Sequence, residues 1–169
     1  LSLQPALRHV LHGLLQHARK GSGGTGHIRN PSHHGRAGRE TGRQAVLMAQ
    51  SGLSIDKILT DKAFENAMRV LLAIGGSTNG IVHLTAIAGR LGYEIDLKAL
   101  DRMGRETPVL VDLKPSGQHY MEDFHHAGGM TTLLRELKPL LHLDALTVTG
   151  KTLGEELDAA TPSFKDRKS

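Results

Sequence analysis

The chain has 169 residues, enough for one domain with a buried core, and it contains no cysteine and no run of about 18 apolar residues. Disulfides, thiolate metal sites, iron–sulfur ligation and a membrane-spanning helix are therefore excluded for the chain as written. The formal net charge of +4 arises at one end, because residues 1–36 hold five basic residues and no acid, while the remainder holds 16 basic and 17 acidic residues and lacks a nucleic-acid-binding signature.

Residues 1–35 form a basic segment without a regular pattern. A short helical pattern surrounds Leu11, and a flexible Gly/Ser linker composition covers residues 21–26. Such a segment cannot bury a core, so we expect it to be poorly ordered. Its start lacks the order of basic and then apolar residues found in secretory signals, which favours a cytoplasmic protein.

A helical pattern begins after Arg36. It predicts a helix over residues 39–50 that turns Ala45, Met48 and Ala49 inward. A second helix is expected from Asp61, with Thr60 as its N-cap. Its apolar residues recur at three- and four-residue spacing, which predicts one buried face: Phe64, Ala67, Met68, Leu71 and Ile74.

The corner GGSTN, residues 75–79, separates this helix from the next. Its two glycines end the first helix and permit left-handed backbone, and Ser77 or Thr78 can cap the second helix. The free N–H groups of that second helix form a potential carboxylate site, with Asn79 and His83 one turn apart on the same face. An ordinary helix–glycine–helix corner with a capping hydroxyl explains the same local pattern.

The residue pattern in the second half of the chain predicts short helices and two strands. The expected fold class is therefore α/β, with more helix than strand. The helices cover residues 97–103, 131–137 and 153–160, and the strands cover residues 109–113 and 146–149. In the first of these helices Leu97 is expected to face inward. A phosphate loop ending at Thr152 would need its first glycine at Ala145, so a nucleotide-binding loop is rejected. Residues 161–169 are predicted to be a polar tail.

Polar residues cluster between residues 116 and 126. Glu122 and Asp123 could serve in acid–base chemistry, assisted by His119, His125 or His126. A solvated helix face beside a turn explains this composition equally well, and the residues alone leave both interpretations open.

Several motifs in one order resemble the dihydroxy-acid dehydratase / 6-phosphogluconate dehydratase family. They are residues 58–67 (ILTDKAFENA), the GGSTN corner with His83 and Leu84, residues 108–117, residues 121–123 with 127–129, and residues 144–155. The resemblance covers about residues 37–160 without large gaps. It implies that residues 36–160 are part of the family's N-terminal α/β domain. The run from Tyr120 to Phe124 is closer to the sugar-acid branch than to the branched-chain amino-acid branch.

Enzymes of this family dehydrate 2,3-dihydroxy carboxylates to 2-keto acids. The resemblance implies a small hydroxy acid as substrate, an iron–sulfur cluster on three cysteines, a magnesium ion on carboxylates, and a serine base in a C-terminal barrel domain. It also implies a homo-oligomeric parent enzyme with no nucleic-acid or membrane partner. In this chain no catalytic residue or metal ligand is expected, and the residues expected to bind substrate are Ser77, Thr78, Asn79, His83, Ser116, Gly117, Glu122 and Asp123.

This chain departs from the family pattern in three ways. It has no cysteine, lacks the family's Cys-Asp-Lys segment upstream, and ends before the serine segment. We therefore expect the middle piece of a hydro-lyase, inactive alone and without a cluster or magnesium ion. The alternative is a noncatalytic binding or interaction module of the same ancestry. The flanking DNA separates the two, because coding sequence for the missing segments would identify a fragment.

The unusual beginning favours a frame-shifted translation of residues 1 to about 35. One permitted codon choice for residues 11–18, read one base later, encodes Cys-Thr-Ala-Ser-Ser-Asn-Thr, which is close to the family's cluster motif. A shift explains together the missing cysteines, the absence of acids before Glu40, and the excess of histidine and arginine. The hypothesis predicts a chain that binds no iron–sulfur cluster, and the gene sequence tests it.

Overall fold

A computed structural model of the chain describes residues 31–114 and 116–160, with side chains from residue 38 onward. Short helices joined by turns make up this part of the chain, and none of the described helices is long and apolar enough to cross a membrane. In chain order they are α1 (Pro31–Ser51), α2 (Ile55–Ile58), α3 (Asp61–Ala73), α4 (Thr78–Arg90), α5 (Leu97–Glu106), α6 (Met121–His126), α7 (Gly129–Glu136), a 3-10 turn (Lys138–Leu140) and α8 (Leu153–Ala159).

Helix α3 lies between two apolar cores. Its predicted buried face is confirmed, since all five of the apolar side chains expected there are buried. The first core joins Val70, Ala73 and Ile74 to leucines in and around α7 and α8: Leu133, Leu134, Leu137, Leu141, Leu153 and Leu157. The other core joins the opposite side of α3 to α4 and α5: Ala67, Met68, Leu71, Leu84 and Leu100. Helix α3 is thus the element around which the described residues pack.

Hydrogen-bonded caps fix where the helices begin. Thr60 caps α3 as predicted, because its hydroxyl accepts a hydrogen bond from the amide of Ala63. At the start of α8, the amide of Thr152 donates to the carboxylate of Glu155, and the amide of Glu155 donates to the hydroxyl of Thr152. The carboxylate of Glu155 accepts hydrogen bonds from both the backbone amide and the hydroxyl of Thr152, and these two bonds lower the pKa of Glu155 below its ordinary value.

The two predicted strands do not form among the described residues. Leu113 makes a single bridge with His119, and Leu146 makes a single bridge with Thr152. A strand needs a partner over several residues, and here each segment meets only a turn of its own chain. The helix-rich character is therefore confirmed, and the strand prediction is wrong for this part of the chain.

The surface helices differ from their predicted bounds and faces. Helix α1 begins at Pro31 rather than residue 39, and Ala45 and Ala49 are exposed while Met48 is half-buried. Helix α5 extends to Glu106, and Leu97 is 71% exposed rather than inward. Periodicity overestimates the buried stripe of a helix that has few neighbours. Residues 1–30 and 161–169 lie outside the described residues, so the expected disorder at the beginning and the polar tail stay predictions.

Asn66 fastens α3 to the segment before α8. Its side-chain amide donates to the backbone carbonyl of His142 at 3.0 Å, and its side-chain oxygen accepts from the backbone amide of His142 at 2.8 Å. Asn66→Ala removes both bonds at a buried position, so we expect the free energy of unfolding to fall by about 1–3 kcal/mol. Urea denaturation measures this change. Asn79→Ala is the matched control at an exposed position, and equal losses in the two variants would contradict the assignment.

Candidate functional site

The GGSTN corner joins the end of α3 to the beginning of α4. Gly75 has a φ of +63°, which is the left-handed backbone that the sequence predicted. The amides of Gly75 and Gly76 donate to the carbonyls of Leu72 and Leu71 at 3.0 and 2.8 Å. A Cβ at Gly76 would lie 2.8 Å from the carbonyl oxygen of Leu71, so a side chain there forces the corner to shift.

The first turn of α4 presents polar groups to solvent. Ser77 is the N-cap, its side chain makes no capping hydrogen bond, and it is exposed together with Thr78, Asn79 and His83. The amide of Gly80 donates to the carbonyl of Ser77 at 2.8 Å, whereas the amides of Thr78 and Asn79 have no carbonyl partner among the described residues. The positive end of the helix dipole and two open N–H groups suit a carboxylate or hydroxyl oxygen.

Ser116 and Gly117 form the turn that follows residues 109–113. The amide of Gly117 and the hydroxyl of Ser116 both donate to the carbonyl of Leu113, at 2.8 and 3.5 Å. A Cβ at Gly117 would lie 2.6 Å from the carbonyl oxygen of Asp112. Both residues therefore shape the turn, and their predicted role in substrate binding stays a prediction.

Glu122 and Asp123 lie in the first turn of α6, and both are exposed. Asp123 accepts a hydrogen bond from the backbone amide of Tyr120 at 2.8 Å, and the same carboxylate oxygen lies 3.9 Å from Nδ1 of His119. Asp123 thus caps α6. Both carboxylates are exposed, and their predicted role in substrate binding stays a prediction.

Residues 109–113 connect the two groups of predicted site residues. The amide of Leu110 donates to the carbonyl of Ala73 at 2.8 Å, and Cγ1 of Val109 lies 4.0 Å from where a Cβ of Gly75 would be. The first group is Ser77, Thr78 and Asn79, and the second is Ser116, Gly117, Glu122 and Asp123. Within the described residues, no hydrogen bond joins the first group to the second. The two groups of predicted site residues are therefore linked through residues 109–113, but they do not contact each other through hydrogen bonds in the described part of the chain.

Two cavities in the described residues lie away from this stretch. One of about 340 Å³ lies between α3 and α5, beside the rings of Phe64 and Tyr93, whose centroids are 5.7 Å apart. Another of about 420 Å³ lies between α1 and residues 146–150. The predicted site residues line neither of these two cavities.

A charge network beside α3 was missed from the sequence. Arg69 is buried and donates to the hydroxyl of Thr107 at 3.3 Å and to the carboxylate of Glu106 at 3.0 Å. Glu65 lies 3.6 Å from Arg69 and 2.7 Å from Nε2 of His142. The i, i+4 spacing of Glu65 and Arg69 was the available signal. The network ties α3 to α5 and to the segment before α8, so we assign it to stability.

A metal or cluster site is not found in the described residues. They contain no group of three or more His, Cys, Asp or Glu side chains that could hold a metal ion. The sequence also contains no cysteine. An iron–sulfur cluster held by thiolates therefore does not fit the residues present.

Comparison with known proteins gives consistent matches. The family described as dihydroxy-acid/6-phosphogluconate dehydratase N-terminal matches residues 24–156. A dihydroxy-acid dehydratase of Methanococcoides burtonii is 46% identical over 123 residues, 73% of this chain and 22% of that protein. L-arabinonate dehydratase of Rhizobium leguminosarum is 50% identical over 69% of this chain and 21% of that protein. L-arabonate dehydratase of Azospirillum brasilense is 50% identical over 129 residues, which are 75% of this chain and 22% of that protein. The chain thus spans about one fifth of the length of these relatives.

Proposed function

This chain belongs to the dihydroxy-acid/6-phosphogluconate dehydratase family, and from that membership we propose that it is a segment of a hydro-lyase. The parent reaction removes water from a 2,3-dihydroxy carboxylate and yields a 2-keto acid. The proposal is supported by the match over residues 24–156 and by relatives named as dihydroxy-acid and L-arabinonate dehydratases. Because the matched part is about one fifth of those relatives, the activity belongs to a longer polypeptide.

Within that enzyme, the first turn of α4 binds oxygen atoms of the substrate. The observation that carries this role is the pair of open amides at Thr78 and Asn79, beside exposed side chains of Ser77 and His83. A substrate carboxylate accepts from such N–H groups, and substrate hydroxyls can both donate and accept. Ser116, Gly117, Glu122 and Asp123 are neighbours of the same substrate in this proposal.

The chemical step needs groups beyond these. Hydroxide leaves only when an acid accepts it, and the hydrogen next to the carboxylate leaves only when a base removes it. The described residues contain no group of three or more potential metal ligands, the carboxylates of Glu122 and Asp123 are exposed, and the sequence offers no thiolate for a cluster. We therefore expect the isolated chain to be inactive, with its residues positioning substrate in the parent enzyme.

The substrate in this proposal is a dihydroxy acid or a sugar acid, and the run from Tyr120 to Phe124 favours the sugar acid. The relatives include both kinds: two L-arabinonate or L-arabonate dehydratases are 50% identical to this chain, and dihydroxy-acid dehydratases of M. burtonii and Ignicoccus hospitalis are 46% and 48% identical. We also expect the parent enzyme to be a cytoplasmic homo-oligomer with no nucleic-acid or membrane partner.

The family match shortens the segment to which the frame-shift hypothesis applies. The family match begins at residue 24, before the boundary near Arg36 that the sequence had favoured. We therefore restrict the shifted segment to residues 1–23. Sequencing the gene upstream of Gly24 tests this proposal, and a shifted frame that encodes no cysteine motif would refute it.

Replacing Asn79 and His83 tests the proposed role of α4. In the full-length A. brasilense enzyme, alanine at the two aligned positions should lower kcat/KM about 10–100-fold, because polar substrate atoms lose their partners. Thermal unfolding of the variant should match that of the parent enzyme, since both side chains are exposed in this chain.

The control for this test lies on the same helix. Thr85 is also exposed, and alanine at its aligned position should leave kcat/KM within about twofold of the parent value. Unchanged kinetics in the Asn79 and His83 variant would remove these residues from the site. A loss that accompanies unfolding would assign them to the fold instead.

A further inference from the structure

The cavity between α3 and α5 has an aromatic end and an apolar middle. Its volume of about 340 Å³ falls within the range of small-molecule sites, which is roughly 300–1,000 Å³. The rings of Phe64 and Tyr93 meet at one end, with their centroids 5.7 Å apart. Met68 and Met103 line the cavity farther along the two helices, and methionine side chains adapt to ligands of different shape. A ligand with an apolar body therefore fits this cavity.

Two carboxylates without partners lie at the aromatic end. Asp61 precedes Phe64 by three residues, so the two side chains share one face of α3. Glu94 directly follows Tyr93. Both acids line the cavity, and among the described residues neither side chain forms a hydrogen bond or an ion pair. Carboxylates beside aromatic rings attract an ammonium group, through charge and through cation–π contact.

An unpaired guanidinium group lies toward the other end of the cavity. Arg69 donates to Glu106, which is the last residue of α5. The contact between Phe64 and Tyr93 lies just before α5 begins, so α3 and α5 run in the same direction along the cavity. Arg102 stands one turn before Glu106, lines the cavity and has no partner in the part of the chain that the structure describes. Opposite charges thus lie at opposite ends.

Arg69 shows independently that a hydrogen-bond acceptor is missing at this end. It is buried, it lines the cavity, and its Nε has no hydrogen-bond partner within the described residues. Buried N–H groups are nearly always paired, so an unpaired one marks a place for an oxygen atom. Phe64 and Arg69 are five residues apart on α3, which corresponds to about 7.5 Å along the helix axis. A ligand that reaches both ends therefore carries its charged groups about 7–8 Å apart.

We propose that this cavity binds an elongated zwitterion of the ω-amino carboxylate class. Its ammonium group pairs with Asp61 and Glu94, and its carboxylate pairs with Arg102. Its methylene chain packs along Met68 and Met103. Extended 6-aminohexanoate separates its nitrogen from its carboxylate carbon by about 7–8 Å, which matches the two ends. This ligand is additional to the hydroxy acid of the proposed function, because none of the residues proposed to bind that substrate line the cavity.

Nuclear magnetic resonance titration of the 169-residue chain tests the site. We expect 6-aminohexanoate to shift the backbone amide signals of Tyr93 and Ala99, which both line the cavity, and to saturate with a Kd of about 1 mM. Hexylamine lacks the carboxylate and hexanoate lacks the ammonium group, so each should bind about three- to tenfold more weakly. The three titrations use one ionic strength, because salt screens charge pairing.

Two arginine variants assign the carboxylate end. Arg102→Gln removes the guanidinium group from the cavity, so 6-aminohexanoate should bind about three- to tenfold more weakly, while the Kd of hexylamine stays the same. Arg90→Gln is the matched control, because Arg90 is also exposed but does not line the cavity. It should leave both Kd values within about twofold. The amide spectrum of each variant without ligand shows whether the fold is retained.

Three outcomes overturn the proposal. The first is that 6-aminohexanoate causes no saturable shift up to about 20 mM. The second is equal binding of 6-aminohexanoate and hexylamine, which would identify a site for organic cations instead. The third is an equal loss in the two arginine variants, which would reflect net charge rather than a contact with Arg102. The measurement involves no catalysis, so the kinetic result for Asn79 and His83 can fail independently of it.

Discussion

Leu137→Ala should lower the free energy of unfolding by about 2–5 kcal/mol, because it empties part of the first core. Leu137 is fully buried and packs with Val70 of α3 and Leu157 of α8. Removing its isobutyl group takes contacts from three elements at once. Urea denaturation followed by circular dichroism measures the loss.

Leu97→Ala is the matched control for this change. Leu97 is 71% exposed at the start of α5, so the same substitution should alter the free energy of unfolding by no more than about 0.5 kcal/mol. If Leu137→Ala costs less than about 1 kcal/mol, the first core does not pack as described. Similar costs at the two positions would point to helix propensity rather than burial.

The sequence predicted α3 well because the apolar residues that form its periodic pattern are also the residues that pack in its buried face. Its apolar residues recur at helical spacing, Thr60 supplies a cap, and Gly75 supplies a left-handed end. The burial of Val70 and Ala73 outside the predicted face of α3 was not predicted, and two polar residues, Asn66 and Arg69, are buried on that helix as well. Asn66 and the terminal nitrogens of Arg69 are buried with specific hydrogen-bond partners, while Nε of Arg69 has none among the described residues. Such partners are not visible in a periodic pattern.

The strands failed for a different reason. Aliphatic runs at residues 109–113 and 146–149 have the composition of strands, and composition is a property of the segment alone. Pairing is a property of two segments, and in the described residues each run finds only a single bridge.

The structure describes the local geometry of the candidate site, and its role in substrate binding stays a prediction. The corner with Ser77 and Asn79 lies where the sequence placed it, with open amides in the first turn of α4. The cluster around Glu122 was expected to be either catalytic or a solvated helix face. Its carboxylates are exposed and Asp123 caps α6, and both interpretations stay open. A substrate enclosed by several parts of a longer chain cannot be outlined from one of them.

Gly76→Ala should destabilise the corner that carries the candidate site, by about 1–3 kcal/mol. The new methyl group would lie 2.8 Å from the carbonyl oxygen of Leu71, and that oxygen already accepts the amide of Gly76 at 2.8 Å. Leu71 is buried and belongs to the last turns of α3, so its backbone cannot retreat without disturbing that helix. The start of α4 must therefore move.

Gly89→Ala, within α4, should instead raise the free energy of unfolding. A Cβ at Gly89 meets no atom within 4 Å, and alanine is favoured over glycine inside a helix by about 0.5–1 kcal/mol. Denaturant titration of both variants gives the two signs directly. If Gly76→Ala stabilised the chain as Gly89→Ala should, α3 and α4 would not approach closely at the corner, and the amides of Thr78 and Asn79 would not be held in place for a substrate.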